Sequence, residues 1–317
     1  TERITRGTVA VVFRIERPAK YEIGFDGYAS NLNANRWFSV SGTARDTFMD
    51  GDTAAAEVRL GTTWGGMLRY FTPVSVNRDQ WGLTLAARRE KYEPFASNGE
   101  TELERYVAKL AWYKTITDRM RVGVGYAGEM ITSYAPDDGE HGPYLSFTFN
   151  NLDDPILPTR GFEVASDVWF PFGREVVSST RFTSYIPIMK DNKVIGGGFK
   201  TGDGDSLSYA AMLGIHNELY SLGQHPLIGD QAYWLHLGIE RVFNRSWWGG
   251  VNIEFFGNYG RVMGGMHDEQ SRWEAGVAFS VPTNNFNSKL IFVYDQEGGF
   301  TVGYSVGLPR FWDGPLP

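Results

Sequence analysis

The chain has 317 residues, no cysteine and a formal net charge of −7, which excludes a disulfide framework and any thiolate metal or redox site and argues against a nucleic-acid partner. Hydrophobic residues make up 42%, and no run approaches the ~20 consecutive apolar residues that a spanning helix needs. Aromatics at 15% and 38 glycines suit a β-barrel instead, with aromatics where strands meet lipid headgroups and glycines where strands bend or pack closely.

From the N-terminus, residues 1–19 read as a strand lead-in or the remnant of an upstream periplasmic domain, and residues 20–317 as the barrel. No signal peptide is visible, so the expectation is a mature or trimmed form. The first barrel strand is expected over Tyr21 to Ser30, carrying Tyr21, Ile23 and Phe25 on one face. Farther on, Leu145, Phe147 and Phe149 alternate with Ser146, Thr148 and Asn150. Tyr233, Leu235, Leu237 and Ile239 alternate with Trp234, His236, Gly238 and Glu240, and Val251, Ile253 and Phe255 with Asn252, Glu254 and Phe256. The same period of two runs through Trp273 to Val281 and Phe300 to Leu308, while helical periodicity is sustained nowhere. Polar partners such as Glu240, Glu254 and Glu274 suit a wet lumen, which leaves lipid as the apolar side. Aromatic doublets at expected strand ends (Trp37-Phe38, Tyr70-Phe71, Trp112-Tyr113, Trp169-Phe170, Trp247-Trp248, Phe311-Trp312) match an interfacial girdle. Short turns at 190–193 and 282–286 and longer ones at 202–230 and 264–270 suggest that one end of the barrel has short turns and the other long loops. The fold class is therefore an all-β transmembrane antiparallel barrel of about sixteen strands in the bacterial outer membrane.

Several segments together resemble the superfamily of BamA, TamA and the two-partner-secretion translocases, over about Lys20 to Trp312. The stretch Asn150 to Phe162 is similar to that family's periplasmic turn, with Asp153, Asp154, Pro158, Thr159, Arg160 and Gly161 at the motif positions. Here Pro158 presets φ, Gly161 permits a tight reversal, and Asp153 or Asp154 can accept backbone N–H bonds. Residues 202–230 match the loop that in this family folds into the lumen. Its tip motif, Val-Arg-Gly-Phe/Tyr in the translocases, reads Leu227, Ile228, Gly229, Asp230 here. The arginine's usual partner, the aspartate of Phe-x-Asp-x-Gly, has become Asn258 in Phe256-Gly257-Asn258-Tyr259-Gly260. Both halves of that ion pair are replaced, and a lone buried carboxylate would be costly once its arginine was gone. The resemblance is strongest to the barrel of patatin-like phospholipases, in Tyr220-Ser221-Leu222-Gly223 and in Ala44 to Gly61 followed by Tyr70-Phe71-Thr72-Pro73, with a free-standing short member as the other assignment.

What the resemblance implies is a platform for protein translocation or insertion, or the membrane base of a fused or partnered domain. A lateral seam would then lie between the first strand and Thr301 to Leu308, weakened by Gly303 and Gly307 around Tyr304 and Val306 and ended by Pro309. The alternative is a passive pore or anchor, consistent with loss of the ion pair. Expected partners are outer-membrane lipid and a passenger polypeptide or separate periplasmic protein. A homodimer through the outward Phe300, Tyr304 and Leu308 competes with simple lipid contact. No cofactor or metal is expected, although Asp203-Gly204-Asp205 and Asp137-Asp138 are loose Ca²⁺ candidates.

The barrel itself is not expected to be catalytic. Gly303-Tyr304-Ser305-Val306-Gly307 fits a nucleophile elbow by spelling, but alternation runs straight through Ser305, no helix follows, and the last histidine is His267. His141, His216, His225 and His267 read as loop residues, His236 as a packed luminal group, and Asp137 to His141 as a solvated loop tip.

Overall fold

The computed structural model describes residues 20–30, 36–92, 101–132, 138–153, 158–189, 191–203, 209–213, 219–222, 226–246, 249–265, 269–282 and 287–306. The strands are β1 Tyr21–Ser30, β2 Arg36–Arg45, β3 Thr53–Gly61, β4 Thr63–Phe71, β5 Asp79–Tyr92 and β6 Thr101–Thr117. They continue with β7 Met120–Ile131, β8 Asp138–Asn150, β9 Gly161–Trp169, β10 Val177–Ile188, β11 Asp191–Thr201, β12 Ala211–Leu213 and β13 Leu227–Gly229. The last five are β14 Gln231–Ser246, β15 Gly249–Met263, β16 Gln270–Pro282, β17 Asn287–Asp295 and β18 Phe300–Val306. Sixteen of them form one closed antiparallel barrel in which β1 meets β18 and β11 meets β14; β12 and β13 form a separate two-stranded pair among the described residues. Among the described residues no helix is long and apolar enough to cross a membrane.

Closure follows from the alternation. Successive side chains of a strand point to opposite faces, and here the apolar set points out: Ile23 is 74% exposed and Phe255 65%, with Leu60, Leu68 and Ile239 in the same condition. Their neighbours Glu57, Arg59, Arg88, Arg105, Glu254 and Glu274 are buried on the inner wall. An apolar exterior around a charged interior is the pattern of a barrel solvated by lipid.

The same parity corrects the reading of the aromatic doublets. Consecutive residues cannot both face lipid. Phe38 and Phe170 are outward, whereas Trp169 is fully buried against Tyr209 in the lumen and Trp37 lies under the guanidinium of Arg59 at 4.0 Å. His141 and Glu140 likewise belong to strand β8 and not to a loop tip. Glu140 accepts a bond from the Gly173 N–H, and its carboxylate lies within 3.6 Å of Arg174, which lets the strand carry charge to the barrel rim.

Strand direction places the start of β1, the end of β18 and turn 151–160 at one end, and residues 202–230 at the other. The two length classes of turn hold only in part. Turn 151–160 is long for its end, and β3 and β4 are joined on the opposite end by Thr62 alone. That reversal uses Gly61 at φ +139°, where a Cβ would collide with the Arg36 carbonyl. Gly61→Ala should therefore cost about 1–3 kcal/mol, whereas Gly42→Ala, with open space around it, should not destabilise. Urea midpoints of the two variants in lipid vesicles test the contrast.

Candidate functional site

The loop between β11 and β14 leaves the wall with its two ends tied together. The Gly202 N–H donates to the Asp230 carbonyl at 2.8 Å, and the Asp230 N–H donates to Met263 on β15 at 3.0 Å. Between these ties the described part turns into the lumen, where β12 and β13 are buried at every position. Leu213, Leu219, Leu222 and Leu227 pack with Ala232, Val262 and Trp234 on the near wall. Ile228, Met212 and Tyr209 reach a second cluster with Met67, Val107, Tyr144 and Trp169 on β4 to β9. Each large aliphatic side chain withdrawn from water in this way contributes roughly 1.5–3 kcal/mol. Position 228 is thus filled by a methyl-rich side chain that is 3% exposed and packed into an apolar cluster.

Asn258 lies inward on β15 and is buried. Its amide donates to Glu274 Oε1 at 2.7 Å, which leaves its Oδ1 facing His236 Nδ1 at 2.7 Å. His236 Nε2 faces Glu254 Oε1 at 2.8 Å, and Lys289 contacts the other Glu254 oxygen at 3.1 Å. Both ring nitrogens thus have a polar partner on the wall.

Glu274, 1% exposed, is where this network meets the loop. Its two oxygens accept the Tyr220 N–H at 3.0 Å and the Ser221 N–H at 2.8 Å. Such charge-assisted bonds to a buried carboxylate are stronger than neutral ones. Tyr220 also packs edge-on against Phe256. Gly260 completes the seat, because a Cβ there would meet Leu219 Cδ1 at 2.7 Å and Leu213 Cδ1 at 3.1 Å. Gly229 is similarly pressed against Val262 and the Met263 carbonyl. Sequence reasoning singled out 227–230, Asn258 and Gly260; the structure places Leu227, Gly229, Asp230, Asn258 and Gly260 along this near wall, while Ile228 reaches the cluster on the opposite wall. Sequence reasoning missed Glu274 as an anchor.

The seam is short. Among the described residues β1 and β18 share four partner pairs, Gly27↔Val306, Tyr28↔Ser305, Ala29↔Tyr304 and Ser30↔Gly303, whereas β1 and β2 share nine. Gly303, Tyr304 and Val306 therefore lie at the seam; Tyr21, Ile23 and Phe25 are described only in their pairing with β2, and Gly307 and Leu308 fall outside the described residues. Ser305 lies within β18 and is paired on both sides, which is not the strand–turn–helix of a nucleophile elbow.

Turn 151–160 is organised by Asp153. Its carboxylate accepts the Thr159 N–H at 2.8 Å, the Arg160 N–H at 3.0 Å and the Thr159 hydroxyl. The Thr159 hydroxyl is the leading reason that the carboxyl is held down at about 2, with the two N–H groups adding to it against desolvation. Gly161, at φ +110°, has no room for a Cβ against the Asn151 carbonyl. Pro158, Thr159 and Arg160 are described, while Asp154 lies outside the described residues, as do residues 1–19, His216, His225, His267 and the Ca²⁺ candidate positions 137, 204 and 205.

A closed sixteen-stranded barrel with an apolar outer face is an outer-membrane protein, here with a loop seated in its lumen. Its fold is shared with a BamA barrel from Haemophilus ducreyi, solved without POTRA domains 1–3, at a TM-score of 0.66 and 13% identity, covering 92% of this chain and 71% of that one. It is also shared with CdiB from Acinetobacter baumannii (TM-score 0.65, 11% identity) and CdiB from Escherichia coli (0.64, 8%). Each of these also covers 92% of this chain, which spans only 60% and 63% of their respective lengths. No protein-family model and no curated protein matches the sequence.

Removing the anchor should loosen the loop. Glu274→Ala strands two buried N–H groups at roughly 1–3 kcal/mol each, and Gly260→Val forces Leu219 off the wall. Both variants should raise planar-bilayer conductance well above the wild type; unchanged traces would show that the loop does not depend on this seat. The turn makes a separate prediction. Because the folded carboxyl lies below the unfolded value of about 3.9, Asp153 stabilises above about pH 4 and loses that contribution as pH falls through about 2. Between those limits the wild type should lose more stability in urea titrations than Asp153→Asn.

Proposed function

We propose that this barrel moves a polypeptide segment across the outer membrane or inserts it there, and that loop 202–230 is the resting plug of that route. The observation that carries the reading is the seating of the loop: two backbone N–H groups on Glu274, leucines on Gly260, and Ile228 in the opposite wall's apolar cluster. A passive pore has little use for a plug fastened at several points. The β1–β18 seam supports the same reading, because a strand edge freed there can pair with an incoming strand. The likeness in fold to the BamA and CdiB barrels is in keeping with it. We take the passenger to be a fused or partnered domain, of the kind attached to patatin-like phospholipase barrels.

A second reading, a passive pore or anchor, draws on Ile228 and Asn258, which replace an ion pair that the translocases keep. One experiment separates the two. The chain has no cysteine, so Ala29→Cys with Tyr304→Cys, opposite each other across the seam, places a single disulfide there. Vesicles containing the protein are given a urea-unfolded small outer-membrane barrel, and its insertion is followed by the band shift of the folded form. The translocase reading expects faster insertion than in vesicles containing a porin. Oxidation of the double variant should abolish that gain, and reductant should restore it. Equal rates for this protein and the porin would overturn the proposal in favour of the passive pore.

A further inference from the structure

On the inner face of the seam one aromatic ring crosses from strand to strand. Tyr28 of β1 points into the lumen and is 4% exposed. In register it stands opposite Ser305 of β18, yet its ring leans two residues along that strand, over Gly303. A Cβ on Gly303 would meet the Tyr28 hydroxyl at 2.8 Å and two ring carbons at 3.3 Å. That hydroxyl is partnered by the Ser30 side chain, and Ser30 is the residue paired with Gly303. A ring laid over a bare glycine on the next strand screens the backbone pairing beneath it from luminal water. Cross-strand contacts of this kind contribute roughly 0.2–1 kcal/mol.

The loop reaches the same place from the other side. Gly303 is paired with Ile291 of β17. Ile291 belongs, with Phe256, Ala278 and Val293, to the apolar cluster on which Tyr220 of the loop packs. The Tyr220 hydroxyl has the Lys289 ammonium as a polar partner. Lys289 is paired with Ser305, and Ser305 with Tyr28. Two routes therefore join the loop to the seam, one through Ile291 to Gly303 and one through Lys289 to Ser305. Both end beneath Tyr28, whose hydroxyl lies within electrostatic reach of Tyr220 and Glu274. The position of Tyr220 is set by the seat already described: its N–H is held by Glu274 at 3.0 Å, and its ring lies 5.8 Å from that of Phe256. When the loop leaves, this cover goes with it, and water reaches the inner face of Gly303 and Ser305.

We propose that Tyr220 and Tyr28 form a latch, through which the seated loop holds the β1–β18 seam closed. The proposal deepens the reading of the loop as a plug and takes its use from that reading. The latch itself is a property of the closed barrel and needs no passenger.

The test is hydrogen exchange, followed by mass spectrometry, on the whole chain in lipid vesicles. Seam amides 27–30 and 303–306 are compared with those of the β10–β11 pair, far from the seam in the strand order. Tyr220→Ala should speed seam exchange at least about fivefold, the lower end of coupling between two sites, and leave the β10–β11 amides unchanged. Coupling is reciprocal, so Tyr28→Ala should speed exchange at the Tyr220 and Ser221 N–H groups held by Glu274. A tyrosine that only fills space at the seam would leave those two amides slow. Gly303→Val keeps the test decisive if Tyr28→Ala does not fold. Its side chain displaces the Tyr28 hydroxyl, so the latch expects faster exchange at 220 and 221 although valine by itself favours a strand. Tyr294→Ala, on the lipid side of β17, should move neither set. Wild-type seam exchange in Tyr220→Ala, or unchanged loop amides in Tyr28→Ala and Gly303→Val, would overturn the latch. No passenger is present, so that result would leave the translocation reading standing, and an absent gain in barrel insertion would leave the latch standing.

Discussion

A strand that crosses lipid must give every backbone N–H and C=O a partner, and a sheet can do this only by closing on itself. Most of the architecture follows from that requirement. Closure makes β1 and β18 neighbours, although they stand at opposite ends of the described chain. It also divides every strand into an outward and an inward set, so each residue's surroundings are decided by whether it falls on an odd or even position. The apolar set meets lipid and the charged set meets the lumen, and a slip of one residue would exchange them along a whole strand.

The lumen then faces its own problem, which is how to hold a long loop against a wall full of charge. No arginine–aspartate pair is available at 228 and 258, where isoleucine and asparagine stand. Here the work is divided. Ile228 joins an apolar cluster on the far wall, and Glu274 gathers two main-chain N–H groups and the Asn258 amide on the near wall. A carboxylate served by main-chain donors needs no cationic partner from the loop, which is why an isoleucine at 228 and an asparagine at 258 are compatible with a loop seated in the lumen. His236, Glu254 and Lys289 extend the same network along the wall, so the charges there are paired through contacts and not left to solvent.

The barrel was legible in the sequence because a period of two survives without any tertiary information, as in Tyr233 to Ile239 or Trp273 to Val281. The Asp153 turn was legible for the same reason, since aspartate, proline and glycine at those positions act on their immediate neighbours. The plug seat was half legible. Ile228, Asn258 and Gly260 stood out against a familiar motif, but Glu274 did not, because its partners are main-chain groups 53 and 54 positions away that leave no trace in side-chain spelling. The aromatic doublets were misplaced because they were judged by distance from strand ends alone. Parity puts Trp169 and Trp37 inside and their neighbours outside, and it was already present in the alternation.

The paired ends of the loop at Gly202 and Asp230 carry a further implication. Thr201 and Gln231 are register partners in adjacent wall strands, so everything between them begins and ends at nearly the same point in space. Lengthening or shortening such an insert adds little to the entropy of closing it, and the wall strands keep their pairing whatever the insert contains. Evolution can treat the segment as an exchangeable cassette, altering what fills the lumen while the barrel around it is inherited unchanged.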